Sequence, residues 1–433
     1  MHAIIVFFIV FLVLAMLKVP IAFSLLMGAI LGYTSVGLAT GGFASAVFAG
    51  LDSFPLLAIP AFIFAGDLMG QGGISAAIMG FINSLIGRFR GALGAVMVVV
   101  SALFGSITGS SVATVSAIGG IMIPEMDKAG YSRSYITALL AASGFLGILI
   151  PPSVPGILYA LSTGQKVTEI WMCTLVPGIV LAILYCINNY FVYGKKQPKT
   201  AEPFEFKNYT RNIGKATPKA LVAFMMPVII FAGVYGGVFT ATEAGIIAVA
   251  YGLLAGWIIF PVFFKSKAES NFWQIIKQSA MTTASISIII SITTLIGRMI
   301  SLGGIADAIA EALMRVTDSQ VVFLILVNLI LILVGMFMET TTAVILFSSL
   351  LAPIAEAYGI DLVHFGAIML LNLEIGMITP PYAGNIFVAC KMTKAPFNEV
   401  IRPLFPYYGS CIIVLLITTF VPQFSMWLPG ITG

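Results

Sequence analysis

Two stretches decide the fold: Gly144-Phe145-Leu146-Gly147-Ile148-Leu149-Ile150-Pro151-Pro152-Ser153 and Glu374-Ile375-Gly376-Met377-Ile378-Thr379-Pro380-Pro381-Tyr382. In each, a proline pair interrupts an apolar run that otherwise reads as helix. Two adjacent prolines remove two backbone donors and break a helix. The pairs lie 229 residues apart, and other residues keep the same interval. Pro124, Gly130, Gly147, Ala160 and Pro177 return as Pro353, Gly359, Gly376, Ala389 and Pro406. Upstream, Gly66, Gly72, Gly73 and Ile74 return as Gly297, Gly303, Gly304 and Ile305 at an interval of 231. Single Gly or Pro matches arise by chance, but a Pro-Pro pair kept in register does not. The chain carries an internal repeat.

Composition sets the solvent. Hydrophobic residues make up 60% of the chain and charged residues only 9%, against about 25% charged in soluble domains. So few charges cannot cover a globular surface of 433 residues, so lipid is expected to solvate most of the chain. The net charge of +4 does not point to nucleic acid, because the basic residues sit in short loops between apolar runs. Cys173, Cys186, Cys390 and Cys411 have no CxxC spacing and read as small core residues. His2 and His364 are too few for a histidine metal site. The first apolar run lacks a preceding basic residue and a small-residue cleavage site, so it reads as a retained helix, not a leader.

Ten apolar runs are expected to cross a membrane: 3–17, 20–38, 54–70, 134–163, 170–193, 220–238, 243–264, 278–297, 360–390 and 400–422. The long polar segment between the halves is rich in Lys and contains Pro198, Pro203 and Pro218. The prolines predict a solvated loop instead of one continuous helix, and the basic residues predict a cytoplasmic position. Alternating the spans from that anchor leaves only Lys166, Arg298 and Arg315 outside, of 21 Lys and Arg in all. That bias emerges only if two further apolar stretches do not cross, and it puts both chain ends outside.

Those stretches are 91–124, interrupted by Gly105-Ser106-Ile107-Thr108-Gly109-Ser110-Ser111, and 321–353, interrupted at Gly335 to Thr342. Each arm reads as about 15 residues, or about 22 Å of helix, too short to span comfortably. Both stretches are expected to be re-entrant hairpins. The resulting organisation is a first repeat over 1–193 (hairpin 91–124, broken helix 134–163), a cytoplasmic linker over 194–219, and a second repeat over 220–433 (hairpin 321–353, broken helix 360–390). Five spans per repeat is an odd number, so the second repeat is inverted, the pattern of secondary transporters. The fold class expected is an all-α polytopic membrane protein.

Backbone carbonyls freed at membrane depth are costly unless something binds them. The binder offered here is a cation. The hairpin tips supply neutral hydroxyls: Ser106, Thr108, Ser110 and Ser111 in the first, and Thr340, Thr341 and Thr342 in the second. Carbonyls and hydroxyls without a carboxylate cage suit sodium better than calcium. One expected site joins Ser106, Thr108, Ser110 and Ser111 to Gly147 and Pro151. The other joins Gly335, Thr340 and Thr341 to Gly376 and Thr379. Half-helix amino ends at the same points favour an anionic substrate, expected near Ser110, Ser153, Glu339 and Asn385. Glu339 has two readings: a ligand of a cation or of substrate hydroxyls, or a residue of a water-filled mouth. Asp67 and Glu243 read as interfacial hydrogen-bonding residues. Trp171, Trp273 and Trp427 read as interfacial anchors.

The phrases Gly105-Ser106-Ile107-Thr108-Gly109-Ser110-Ser111-Val112-Ala113-Thr114 and Ile150-Pro151-Pro152-Ser153-Val154-Pro155-Gly156 resemble the large membrane subunit of the tripartite ATP-independent periplasmic (TRAP) transporters. So do Phe239-Thr240-Ala241-Thr242-Glu243-Ala244 and Ile378-Thr379-Pro380-Pro381-Tyr382-Ala383-Gly384-Asn385. The resemblance runs along essentially the whole chain. It implies a sodium-driven elevator importer of organic acids such as a C4-dicarboxylate, sialic acid or another sugar acid, in a bacterial inner membrane. It also implies a separate small four-helix membrane subunit and a periplasmic substrate-binding protein, with Na+ as coupling ion and no other cofactor. The alternative is a stand-alone sodium/dicarboxylate symporter that needs no binding protein. An intramembrane enzyme is disfavoured, because HExxH, GxSxG and paired intramembrane aspartates are missing. Two hairpins and inverted repeats also argue against a passive channel.

Overall fold

The computed structural model describes the chain apart from residues 1, 18, 36, 38–40, 88–90, 194–205, 266–271, 305–307, 310, 312–316, 382 and 433. Lys18, Arg88, Arg90, Lys195, Lys196, Lys199, Lys267 and Arg315, part of the linker, and Tyr382 of the second break therefore lie outside the described residues. The described residues contain helices and no strand. Eight helices are long and apolar enough to cross a membrane, or nine if the bent pair Arg133–Leu149 and Val154–Thr163 counts as one span. The chain is a multi-pass membrane protein.

The count differs from the ten expected runs for identifiable reasons. His2–Met16 and Ile21–Ser35 are 15 residues each, separated at Pro20, and each rises only about 22 Å. The run 360–390 divides into Leu362–Met377 and Gly384–Thr393. Ile74–Ile86 forms a helix that the apolar-run reading omitted. The linker reading also needs correction. Phe206–Tyr235 is one helix of 30 residues with Pro218 and Pro227 inside it. Neighbouring hydroxyls can take up carbonyls near a proline, and Thr217 Oγ1 donates to Ile213 O at 2.7 Å.

The hairpins are longer and their tips tighter than expected. The first consists of Ala92–Thr108 and Ser111–Lys128, 17 and 18 residues. The second consists of Gln320–Phe337 and Thr340–Ala357, 18 residues each. At about 1.5 Å per residue such arms reach about 26–27 Å, so length alone does not prevent them from crossing. The tips shrink to Gly109-Ser110 and Met338-Glu339. Ser106, Thr108, Gly335, Thr340 and Thr341 therefore belong to helices.

The broken helices form the core. Every residue from Tyr135 to Leu149 and from Val363 to Met377 is buried, as expected of segments that are apolar all round. Outer helices instead show one lipid-facing stripe, such as Ile5, Ile9 and Leu12, or Val322, Leu329 and Leu333. The halves interlock reciprocally. Val154–Thr163 packs on the outbound arm of the second hairpin, and Gly384–Thr393 packs on the outbound arm of the first. Tyr159 OH donates to Leu362 O at 2.6 Å, and the Thr137 and Thr393 hydroxyls lie 2.7 Å apart.

Candidate functional site

Each hairpin tip meets a helix break, and glycine makes the approach possible. Gly105 lies directly on Gly147, and Gly335 lies directly on Gly376. A Cβ on either partner of a pair would overlap the other's backbone or the adjoining turn. Gly109, with φ +61°, presents its carbonyl to Val154 N at 3.2 Å. The first tip is thus hydrogen-bonded to the residue that restarts the first broken helix. Pro151-Pro152 and Pro380-Pro381 are both cis.

Both outbound arms begin at these junctions. Ser110 caps one, accepting from Ala113 N at 3.4 Å. Glu339 caps the other, accepting from Thr342 N at 3.3 Å and from Thr341 Oγ1 at 2.7 Å. Ser110 and Glu339 occupy the same place in the 229-residue repeat. Helix amino ends carry partial positive charge, so the two junctions together favour an anion between the tips. Glu339 is exposed, and its cap geometry is a local structural role.

Part of the freed backbone is satisfied by protein donors. Ser153 O accepts from Trp171 Nε1 at 3.2 Å, and Ile378 O accepts from Tyr408 OH at 2.6 Å. Trp171 is 1% exposed, so the interfacial-anchor reading fails for it. It packs against Gly156, where a Cβ would crowd its indole ring. Trp273 and Trp427 are exposed, as anchors are. Asp67 accepts from Ser279 Oγ at 2.5 Å, and Glu243 completes a capping box with Thr240, both in line with their hydrogen-bonding readings.

Several tip hydroxyls are turned inward. Ser106 Oγ donates to Leu103 O at 2.7 Å, and Thr379 Oγ1 donates to Ile375 O at 2.6 Å. Thr108 Oγ1 lies 3.0 Å from Thr114 Oγ1. Pro151 is buried in the first break. Ser153 Oγ and both amide atoms of Asn385 are buried with no hydrogen-bond partner among the described residues.

The residue that joins the two halves was missed in the sequence. Glu374 is fully buried. Its Oε1 accepts from Thr340 Oγ1 at 2.5 Å and from Ser111 Oγ at 3.3 Å. One carboxylate oxygen therefore ties the first residue of one outbound arm to the first residue of the other. Its position inside an apolar run was the available signal, since an ionisable residue in a span is a functional candidate by default. A second omission is the polar chain Asn372–Asn328–Thr419, linked at 2.7 and 3.1 Å, which fastens the second hairpin to the broken helix and to the last long helix.

The family model for the tripartite ATP-independent periplasmic transporter, DctM component, matches residues 8–424. The chain is 33% identical over 413 residues to the isethionate TRAP transporter permease protein DctMQ of Oleidesulfovibrio alaskensis. That match covers 95% of this chain and 64% of the relative, so the chain spans less than two thirds of that protein's length. It is 32% identical over 412 residues to the sialic acid TRAP transporter large permease protein SiaM of Vibrio cholerae, covering 95% and 94%. The crystal structure of the Alcanivorax borkumensis YdaH transporter matches the fold with TM-score 0.56 and 13% identity, over 90% of this chain and 88% of that one. A buried pair of broken helices capped by two hairpins, and a family match along nearly the whole chain, place this protein among transporter permeases and not enzymes: it belongs to the TRAP transporter DctM family, as a large membrane subunit.

Proposed function

We propose that this chain imports a small organic acid across a bacterial inner membrane, driven by sodium. The carrying observation is the pair of junctions at which a hairpin tip rests on a cis Pro-Pro helix break. Each junction brings main-chain carbonyls and hydroxyls together at the start of a helix. One sodium ion is held around Ser106, Thr108, Ser110, Ser111, Gly147 and Pro151. The second is held around Gly335, Thr340, Thr341, Gly376 and Thr379. The substrate anion lies between the tips, held by the helix amino ends and by Ser110, Ser153, Glu339 and Asn385. The unpartnered buried groups of Ser153 and Asn385 support that placement, because such groups are costly unless a ligand pairs with them. The relatives named for isethionate and sialic acid support an organic acid as the cargo.

The hairpins and broken helices move together as an elevator against the outer helices, including Phe206–Tyr235. Both outer ends lie outside the cell. A small four-helix membrane subunit braces the outer helices, and a periplasmic binding protein delivers the substrate. The test is proteoliposomes holding both membrane subunits, with sodium and the binding protein each omitted in turn. Uptake is expected to stop in both omissions. Full uptake on a proton gradient without sodium removes the ion assignment. Uptake without the binding protein favours a stand-alone symporter.

A further inference from the structure

Glu374 is the one Asp or Glu below a tenth exposure among the described residues. It has no ion pair there. Hydroxyls from both hairpins reach Oε1, while Oε2 is buried with no partner at all. A buried, uncompensated carboxylate is strongly disfavoured. Such a group is neutral with a proton on it, or it holds a cation. The geometry favours a cation for the working state, since a proton on Oε2 has no acceptor to donate to. The hydroxyls of Ser111 and Thr340, 2% and 0% exposed, are oxygens that can rotate to a bound ion. One carboxylate with neutral oxygens fits a monovalent ion; a divalent ion prefers several carboxylates.

We propose that Glu374, with Ser111 and Thr340, forms a third monovalent-cation site that bridges the two hairpins, distinct from the two junction sites. Sodium enters as one proton leaves the Glu374 carboxyl for water, so charge balances at the site. This rests on the sodium-coupled reading above. Occupancy fastens both hairpins to one broken helix, so the ion is bound only while the tips are held together.

Glu374→Gln separates the possibilities. Glutamine keeps the shape and the Oε1 acceptor, so the Ser111 and Thr340 bonds remain, but the charge is gone. The readout is sodium ions moved per substrate in proteoliposomes containing both membrane subunits. The expected result is one sodium fewer per substrate than in the parent. An unchanged ratio with unchanged sodium dependence overturns the site. A parent protein that transports without sodium sinks the coupling reading instead. If Glu374→Gln does not fold, the unmodified protein decides by infrared difference spectroscopy in sodium chloride against choline chloride. Sodium is expected to convert a protonated-carboxyl band into a carboxylate band. No such conversion overturns the proposal.

Discussion

Ser111 and Thr340, 229 residues apart in the sequence, donate to the same carboxylate oxygen of Glu374. They are the first helical residues of the two outbound arms and equivalent positions of the repeat. A single side chain thus registers the position of both hairpins.

Removing one of these hydroxyls is expected to weaken sodium binding without unfolding the protein. A lost hydrogen bond of this kind costs about 1–3 kcal/mol, or about 5- to 150-fold in affinity. Ser111→Ala and Thr340→Ala should each raise the sodium concentration for half-maximal uptake by that order. Wild-type sodium curves from both well-folded variants would put the ions elsewhere.

The glycine contacts predict a steric effect that can be read as stability. Gly147→Ala and Gly376→Ala each place a methyl group where a hairpin already lies. Overpacking of this kind costs about 1–3 kcal/mol, and thermal unfolding of the purified subunit should move down accordingly. Gly120, on the exposed side of an outbound arm, has nothing within 4 Å of a built Cβ. Gly120→Ala should be neutral or stabilising by up to about 1 kcal/mol. Equal effects at all three positions would contradict the packing.

Trp171 should matter as a hydrogen-bond donor. Trp171→Phe keeps most of the buried ring but leaves Ser153 O without its indole partner. The expected loss is about 0.5–1.5 kcal/mol, measured as a lower unfolding temperature. Trp273→Phe, at an exposed residue, should leave it unchanged.

Orientation is tested by single cysteines in a protein lacking Cys173, Cys186, Cys390 and Cys411. Lys215→Cys should react with an impermeant thiol reagent only from the cytoplasmic side. Lys166→Cys should react only from outside. The reverse pattern would invert the positive-inside assignment.

The sequence by itself determined the membrane class, the duplication and the places where helices break. These are local or compositional properties: charge density, apolar run length and the missing donors of Pro-Pro pairs. It also located both hairpins, though it underestimated their arms, because Ser106, Thr108 and Thr340 to Thr342 are hydroxyl residues that helices accept when the hydroxyls bond nearby carbonyls. Proline likewise misled at Pro218, where the helix continues through it. What only the tertiary structure decided was partnership. Nothing in the spacing says that Trp171 turns inward to Ser153, that Gly105 meets Gly147, or that hydroxyls from two hairpins converge on Glu374. Those contacts join residues up to 263 apart. Their energies depend on burial and on distances that packing alone sets.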